Sequence, residues 1–177
     1  ATPWEGGGQY GVALLSAAPL EEVETTRLWI PKGKVTSPGE KEPRLLLRAR
    51  LKDLPLTVMV THLGLSADQR LRQARQIIAC AHETDGAVVV AGDLNGRPDS
   101  PEVMLLAQEL CDTLGNKPEN ERITFPSGNP EEHSEDYLTR TLDYILVSEG
   151  VEVQSARVVP EYTLASDHNP CEAVISL

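Results

Sequence analysis

Aromatic side chains are scarce in this 177-residue sequence: one Phe, two Trp and four Tyr. A core must therefore be built from Leu, Val, Ile and Ala. Cysteine is scarce as well. Cys80, Cys111 and Cys171 are odd in number, far apart and lack a Cys-x-x-Cys pair. That argues against a disulfide framework or a zinc knuckle and for thiols in a reducing compartment. No run approaches the roughly 20 apolar residues of a membrane-spanning helix. The first eight residues show neither the basic nor the apolar region of a secretory leader, so a cytoplasmic location is expected. Positive charge is in deficit too, with 16 Lys and Arg against 27 Asp and Glu and a net charge of −11. This weighs against a broad grip on nucleic acid, although carboxylates grouped around a cation would add to the same deficit.

The length fits a single domain over 1–177. Gly6–Gly8 reads as a flexible lead-in. Strands are expected at Tyr10–Leu15 and Thr25–Ile30, with a Pro/Gly/Lys loop over Pro31–Glu42. Arg44–Leu51 alternates, which predicts a half-buried strand whose outer face holds Arg44, Leu46, Arg48 and Arg50. Leu56–Thr61 is a continuous apolar strand and the expected hairpin partner. Ser66 followed by Gln69 predicts a capping box, opening a helix with Leu71, Ala74, Ile77, Ile78 and Ala81 as its apolar stripe. Gly86 leads into a Val88–Ala91 strand. Pro101, after Ser100, starts a second helix whose inner face is Val103, Leu106, Ala107 and Leu110. A polar loop over Asn116–Thr139, with Phe125 as its anchor, precedes strands at Leu142–Val147, Val151–Val159 and Glu172–Leu177. This order implies an α/β fold, with a mixed sheet or two packed sheets and helices outside.

Chemistry concentrates at strand ends. Val88–Asn95 is an apolar strand finishing in Gly-Asp-Leu-Asn. Asp93 can hold a hard cation or orient water, and Asn95 can donate its amide to a phosphate oxygen. His62 ends the Leu56–Thr61 strand. A strand–helix–strand crossover brings it to the same sheet edge as Asp93 and Asn95. Asp167 and His168 precede the last strand. Adjacent side chains diverge, so a basic His168 needs another carboxylate to hold its ring, and Asp143 is the candidate. In this reading a His168–Asp143 dyad activates water and Asp167 is free for a cation. In the alternative, Asp167-His168 is ordinary surface and Asp143 merely caps a turn. His82 and His133 read as solvent-facing. Neither a Gly-x-Ser-x-Gly elbow nor a P-loop is present.

Five segments taken in order resemble the endonuclease/exonuclease/phosphatase superfamily of metal-dependent phosphoesterases. They are Tyr10–Ser16, Thr61–Leu65, Gly92–Asn95, Leu142–Ser148 and Ser166–Pro170. The resemblance implies a four-layered sandwich, with two mixed β-sheets packed face to face and helices flanking them. It implies Mg²⁺ or Mn²⁺ as cofactor and His168 as the base, held by Asp143. Asp93 would orient the nucleophile or hold the metal, to which Asp167 would contribute. Asn95 and His62 would bind the scissile phosphate. The substrate would be a phosphoester in a small molecule, a lipid headgroup or a nucleic acid. The family pattern also opens with two strands, the second ending in a Gln-Glu whose Glu is the principal metal ligand. This sequence begins just before the third family segment, and Glu5 is not assigned to that role. The expectation is a domain incomplete at its N-terminus, with exposed sheet edges that invite self-association. A non-catalytic phosphate-binding or interaction module, or an inactive fragment lacking that metal-ligand Glu, is the alternative.

Overall fold

The computed structural model describes residues 2–3, 9–33, 41–128, 139–160 and 165–177. In chain order the elements are β1 (Thr2–Pro3), β2 (Gln9–Tyr10), β3 (Leu20–Arg27), β4 (Leu45–Leu51), β5 (Leu56–His62), α1 (Ala67–His82), β6 (Ala87–Asp93), α2 (Pro101–Ala107), β7 (Cys111–Asp112), a 3₁₀ turn at Glu119–Glu121, β8 (Asp143–Val147), β9 (Glu152–Val158) and β10 (Cys171–Ser176). Glu5, Gly6–Gly8 and His133 lie outside the described residues.

A six-stranded mixed sheet is ordered β3-β4-β5-β6-β8-β7. Among the described residues its only parallel pair is β5–β6, in register from Leu56↔Ala87 to His62↔Asp93. That register follows from the crossover through α1, which returns the chain to the edge where β5 began. Antiparallel β8 brings Asp143 opposite Asp93. The ends of three strands therefore meet at one edge.

The two faces of this sheet bury different cores. Leu46, Met59, Val88, Val90, Tyr144 and Leu146 pack with Ala74, Ile77, Val103 and Leu106 of the helices. On the other face Leu56, Val89 and Val147 meet Val153 of β9 and Ile175 of β10. Those two strands form a separate antiparallel sheet. The architecture is thus an α/β sandwich of two packed sheets with helices against the larger one.

Several local expectations need correction. The Tyr10–Leu15 strand shrinks to Gln9–Tyr10, and Leu15 is 93% exposed. The Thr25–Ile30 strand instead spans Leu20–Arg27. As an edge strand it buries little, and Glu24 faces Arg48 across the β3–β4 register, so apolar content does not reveal it. The Arg44–Arg50 face is not an outer basic surface, because Leu46 is core and Arg44 is buried. Ser66 does cap α1, accepting from the Gln69 backbone N–H. The reciprocal half of the box is missing, since both polar atoms of the buried Gln69 side chain lack a partner. Gln73 is also buried: it accepts from Gly64 N at 2.8 Å and donates to Trp29 O at 2.8 Å. In α2, Ala107 is exposed and Glu102 occupies the interior, paired with Arg70 of α1.

Candidate active site

Side-chain alternation decides which way the site faces. Met59, Val90 and Tyr144 point to the helices. His62, Asp93 and Asp143 lie an odd number of residues away along their strands and so face the opposite side, towards the second sheet. The segment before β10 supplies His168 from that side. Its Nδ1 lies 2.6 Å from Asp143 Oδ2. One ligand atom each from Asp93, Asp143 and His168 falls within 4.8 Å of the others. His62 Nε2 lies 3.3 Å from Asp93 Oδ2. His62, Asp93, Asn95, Asp143 and His168 are thus brought together. Asp167 is exposed and contributes no atom to the trio. His82 sits at the far end of α1, exposed beside Glu109.

Burial governs the acid–base balance. It pushes the Asp93 carboxyl up to about 6, partly countered by the Asn95 backbone N–H donating to Oδ1 at 2.7 Å. Burial also pushes His62 down to about 4, reinforced by the Arg44 guanidinium. The His62–Asp93 contact has ion-pair distance, but both shifts disfavour charge. At neutral pH it is a neutral imidazole against a carboxylate. His168 moves the other way, raised chiefly by its hydrogen bond to Asp143. The neighbouring Cys171 thiol is pushed up to about 12 by burial and stays protonated.

Residues that sequence reasoning passed over hold this geometry. Tyr10 Oη lies 2.6 Å from His62 Nδ1, and Arg44 Nη1 donates to that oxygen at 3.1 Å. Thr124 Oγ1 accepts from Leu142 N and Asp143 N, fixing the start of β8. Buried Asn169 accepts from Gly128 N at 2.7 Å and donates to the Ile123 and Gly128 carbonyls, anchoring the His168 segment. Phe125 packs against the His168 ring at 5.0 Å between centroids. The Tyr144 hydroxyl, kept protonated by burial, donates to Gly96 O at 2.9 Å. Asn95 has φ +50° and donates from Nδ2 to Leu63 O at 2.9 Å. Asn95 was a candidate from the sequence, and its left-handed backbone, which favours Gly and Asn, suits it to this turn.

The Endonuclease/Exonuclease/phosphatase family model matches residues 3–168. The chain belongs to this family of phosphoesterase-type hydrolases. A Bacteroides thetaiotaomicron VPI-5482 mannosyl-6-phosphatase has a similar structure, with TM-score 0.68 and 19% identity over 90% of this chain and 67% of that one. A functionally unknown conserved protein from Enterococcus faecalis V583 gives TM-score 0.66 and 21% identity over 89% and 67%. The D. rerio TDP2 complexed with a single-strand DNA product gives 0.62 and 20% over 87% and 67%. The chain spans about two-thirds of the length of these structures. No curated protein matches it at a comparable level. No helix among the described residues is long and apolar enough to cross a membrane.

Proposed function

We propose that this protein hydrolyses small phosphoesters with water activated by His168. The carrying observation is the 2.6 Å His168–Asp143 contact beside Asp93. Neutral His168 keeps its Nδ1–H on Asp143, which leaves the Nε2 lone pair to take a proton from water. That water attacks phosphorus in line with the departing oxygen. Asn95, with one amide N–H on Leu63 O, has a second to offer a phosphoryl oxygen. His62 stands beside it as a second donor.

Family enzymes of this kind are generally metal-dependent, and the residues present fit a hard divalent cation. Asp93 is a carboxylate whose buried charge is under-compensated, and a cation would restore the balance. Asp93 would hold Mg²⁺ or Mn²⁺, with Asp167 approaching from the exposed side. Such an ion would neutralise phosphoryl charge.

The arginines support a small substrate, free or as a lipid headgroup, over long DNA. Arg44 pairs with Glu42, Arg48 with Glu24, Arg50 with Glu21 and Glu22, Arg70 with Glu102, and Arg72 with Asp68. Pairing these five arginines with carboxylates reduces the positive charge offered to a polyanion. We also infer that the edges of the β9–β10 sheet, unpaired among the described residues, bring copies of the chain together.

The decisive measurement is hydrolysis of bis(p-nitrophenyl) phosphate with Mg²⁺ or Mn²⁺. His168→Ala is expected to lower kcat by roughly 10²- to 10⁴-fold, the range of a positioned general base. Unchanged turnover in that variant would refute the assignment. Cation binding without turnover in the wild type would favour a phosphate-binding module instead.

A further inference from the structure

His62 has a partner on each ring nitrogen, and the two partners are chemically unequal. Nε2 faces Asp93 Oδ2 at 3.3 Å. The pair has ion-pair distance but not hydrogen-bond geometry, so the carboxylate favours a proton on the facing Nε2 without consuming it. Nδ1 faces the Tyr10 hydroxyl at 2.6 Å, and a hydroxyl can donate or accept. Arg44 decides which. Its guanidinium has no acceptor, so at 3.1 Å from Tyr10 Oη it donates to that oxygen. An oxygen that accepts from a cation turns its own hydrogen elsewhere, and His62 Nδ1 is within reach. The arrangement favours one polarity, from Arg44 Nη1–H to Tyr10 Oη, from Tyr10 O–H to His62 Nδ1, with the His62 proton left on Nε2 facing the Asp93 side of the site.

The head of this chain is fixed in place. Arg44 is 5% exposed, and its Nη2 donates to Glu42 Oε2 at 2.9 Å. The Arg44 guanidinium also lies 5.8 Å from the centre of the Tyr10 ring. The Tyr10 and His62 rings meet edge-on, 5.9 Å between centroids. Holding a long side chain immobile costs entropy, which a merely solvated surface contact would not repay.

We propose that Tyr10 and Arg44 are positioning residues that lock His62 as the Nε2–H tautomer, making it a fixed hydrogen-bond donor to the substrate phosphoryl group. The site then treats its two histidines oppositely. His168 is backed on Nδ1 by a carboxylate, which prepares its Nε2 to take a proton. His62 is backed on Nδ1 by a cation-polarised hydroxyl, which prepares its Nε2 to offer one. The phosphoryl role rests on the hydrolase reading above, whereas the tautomer does not.

The test is long-range ¹H–¹⁵N correlation of the imidazole nitrogens in the ¹⁵N-labelled full chain at neutral to mildly alkaline pH. His62 should show a protonated Nε2 and an unprotonated Nδ1. In Tyr10→Phe, which keeps the ring, the two His62 nitrogens should move towards averaged shifts while those of His168 stay in place. Arg44→Gln should move them the same way but less far, because the hydroxyl remains. Turnover of bis(p-nitrophenyl) phosphate by Tyr10→Phe should fall roughly tenfold in kcat with little change in KM, as expected for one misoriented transition-state donor. A protonated Nδ1 in the wild type, or unchanged His62 shifts in Tyr10→Phe, would overturn the proposal. The spectra need no turnover, so a wild type with the Nε2–H tautomer but no hydrolysis would sink the functional reading and leave the relay standing.

Discussion

Asp143 raises the affinity of His168 for a proton through their hydrogen bond. The base works only when neutral, so activity should climb with pH through the folded-state value, which lies above the ordinary 6.5. The stability side has the opposite sense: the raised pKa contributes fully below the unfolded value and fades as pH rises through the folded one. Asp143→Asn removes the cause. Its pH–rate profile should show the acid limb moved to lower pH and a lower plateau, because the ring also loses its orientation. Asp93 titrates with a different consequence. Its carboxyl is held up to about 6, so without a cation its contribution to stability is present below the unfolded value and lost as pH rises through about 6. A bound cation competes with that proton. The rise in melting temperature given by a fixed excess of Mg²⁺ should be clearly larger at about pH 7.5 than at about pH 5.5. Equal gains at both pH values would mean that Asp93 does not hold the ion.

β5 and β6 carry His62 and Asp93 of the site, and their pairing is unusually intolerant at one glycine. Gly92 has φ +140°, and a Cβ there would lie 1.9 Å from Thr61 O on the neighbouring strand. Gly92→Ala should cost ~3 kcal/mol or more, read by urea unfolding, because backbone has to move on both sides. The helices are tied together by Arg70 and Glu102, with Arg70 also donating to Leu65 O at 2.6 Å. Glu102→Ala leaves a largely buried guanidinium without its partner, a loss of ~3 kcal/mol. It should also impair turnover, since the pair joins the loop after β5 to the helix after Asn95. The β5–α1–β6 unit was legible in the sequence because its apolar runs, the Ser66 cap and Gly86 all agree locally. The edge strand β3 was not, because its stability comes from cross-strand partners and its own residues are mostly exposed. The burial of Gln69, Gln73 and Glu102 was not legible for a related reason. Where partners exist, they come from other elements, as Trp29 and Gly64 do for Gln73. At the site, Asp93, Asp143 and His168 were legible as polar ends of apolar strands. Tyr10 and Arg44 were not, since Tyr10 reaches His62 across 52 positions of the chain and Arg44 reaches Tyr10 across 34.

Across the whole molecule, charge and exposed edges pull against each other. The net charge of −11 keeps copies apart at low ionic strength. The large sheet protects its borders, with charged β3 at one side and a two-residue β7 at the other. The β9–β10 sheet is less guarded: it carries the exposed Glu152, Arg157 and Glu172, but among the described residues each strand pairs only with the other. Val174 on β10 is 57% exposed and Leu177 beyond it 53%. Unpaired backbone beside apolar side chains is a template for another strand. The chain should therefore self-associate in sedimentation experiments, and the associated fraction should rise with salt as the repulsion is screened. Val174→Lys places a charge on that strand and should return the protein to monomer with little change in melting temperature, because the wild-type side chain contributes little to the core. A wild type that stays monomeric at high salt would show that the edges are covered. A Val174→Lys protein that still associates would place the contact elsewhere on the surface.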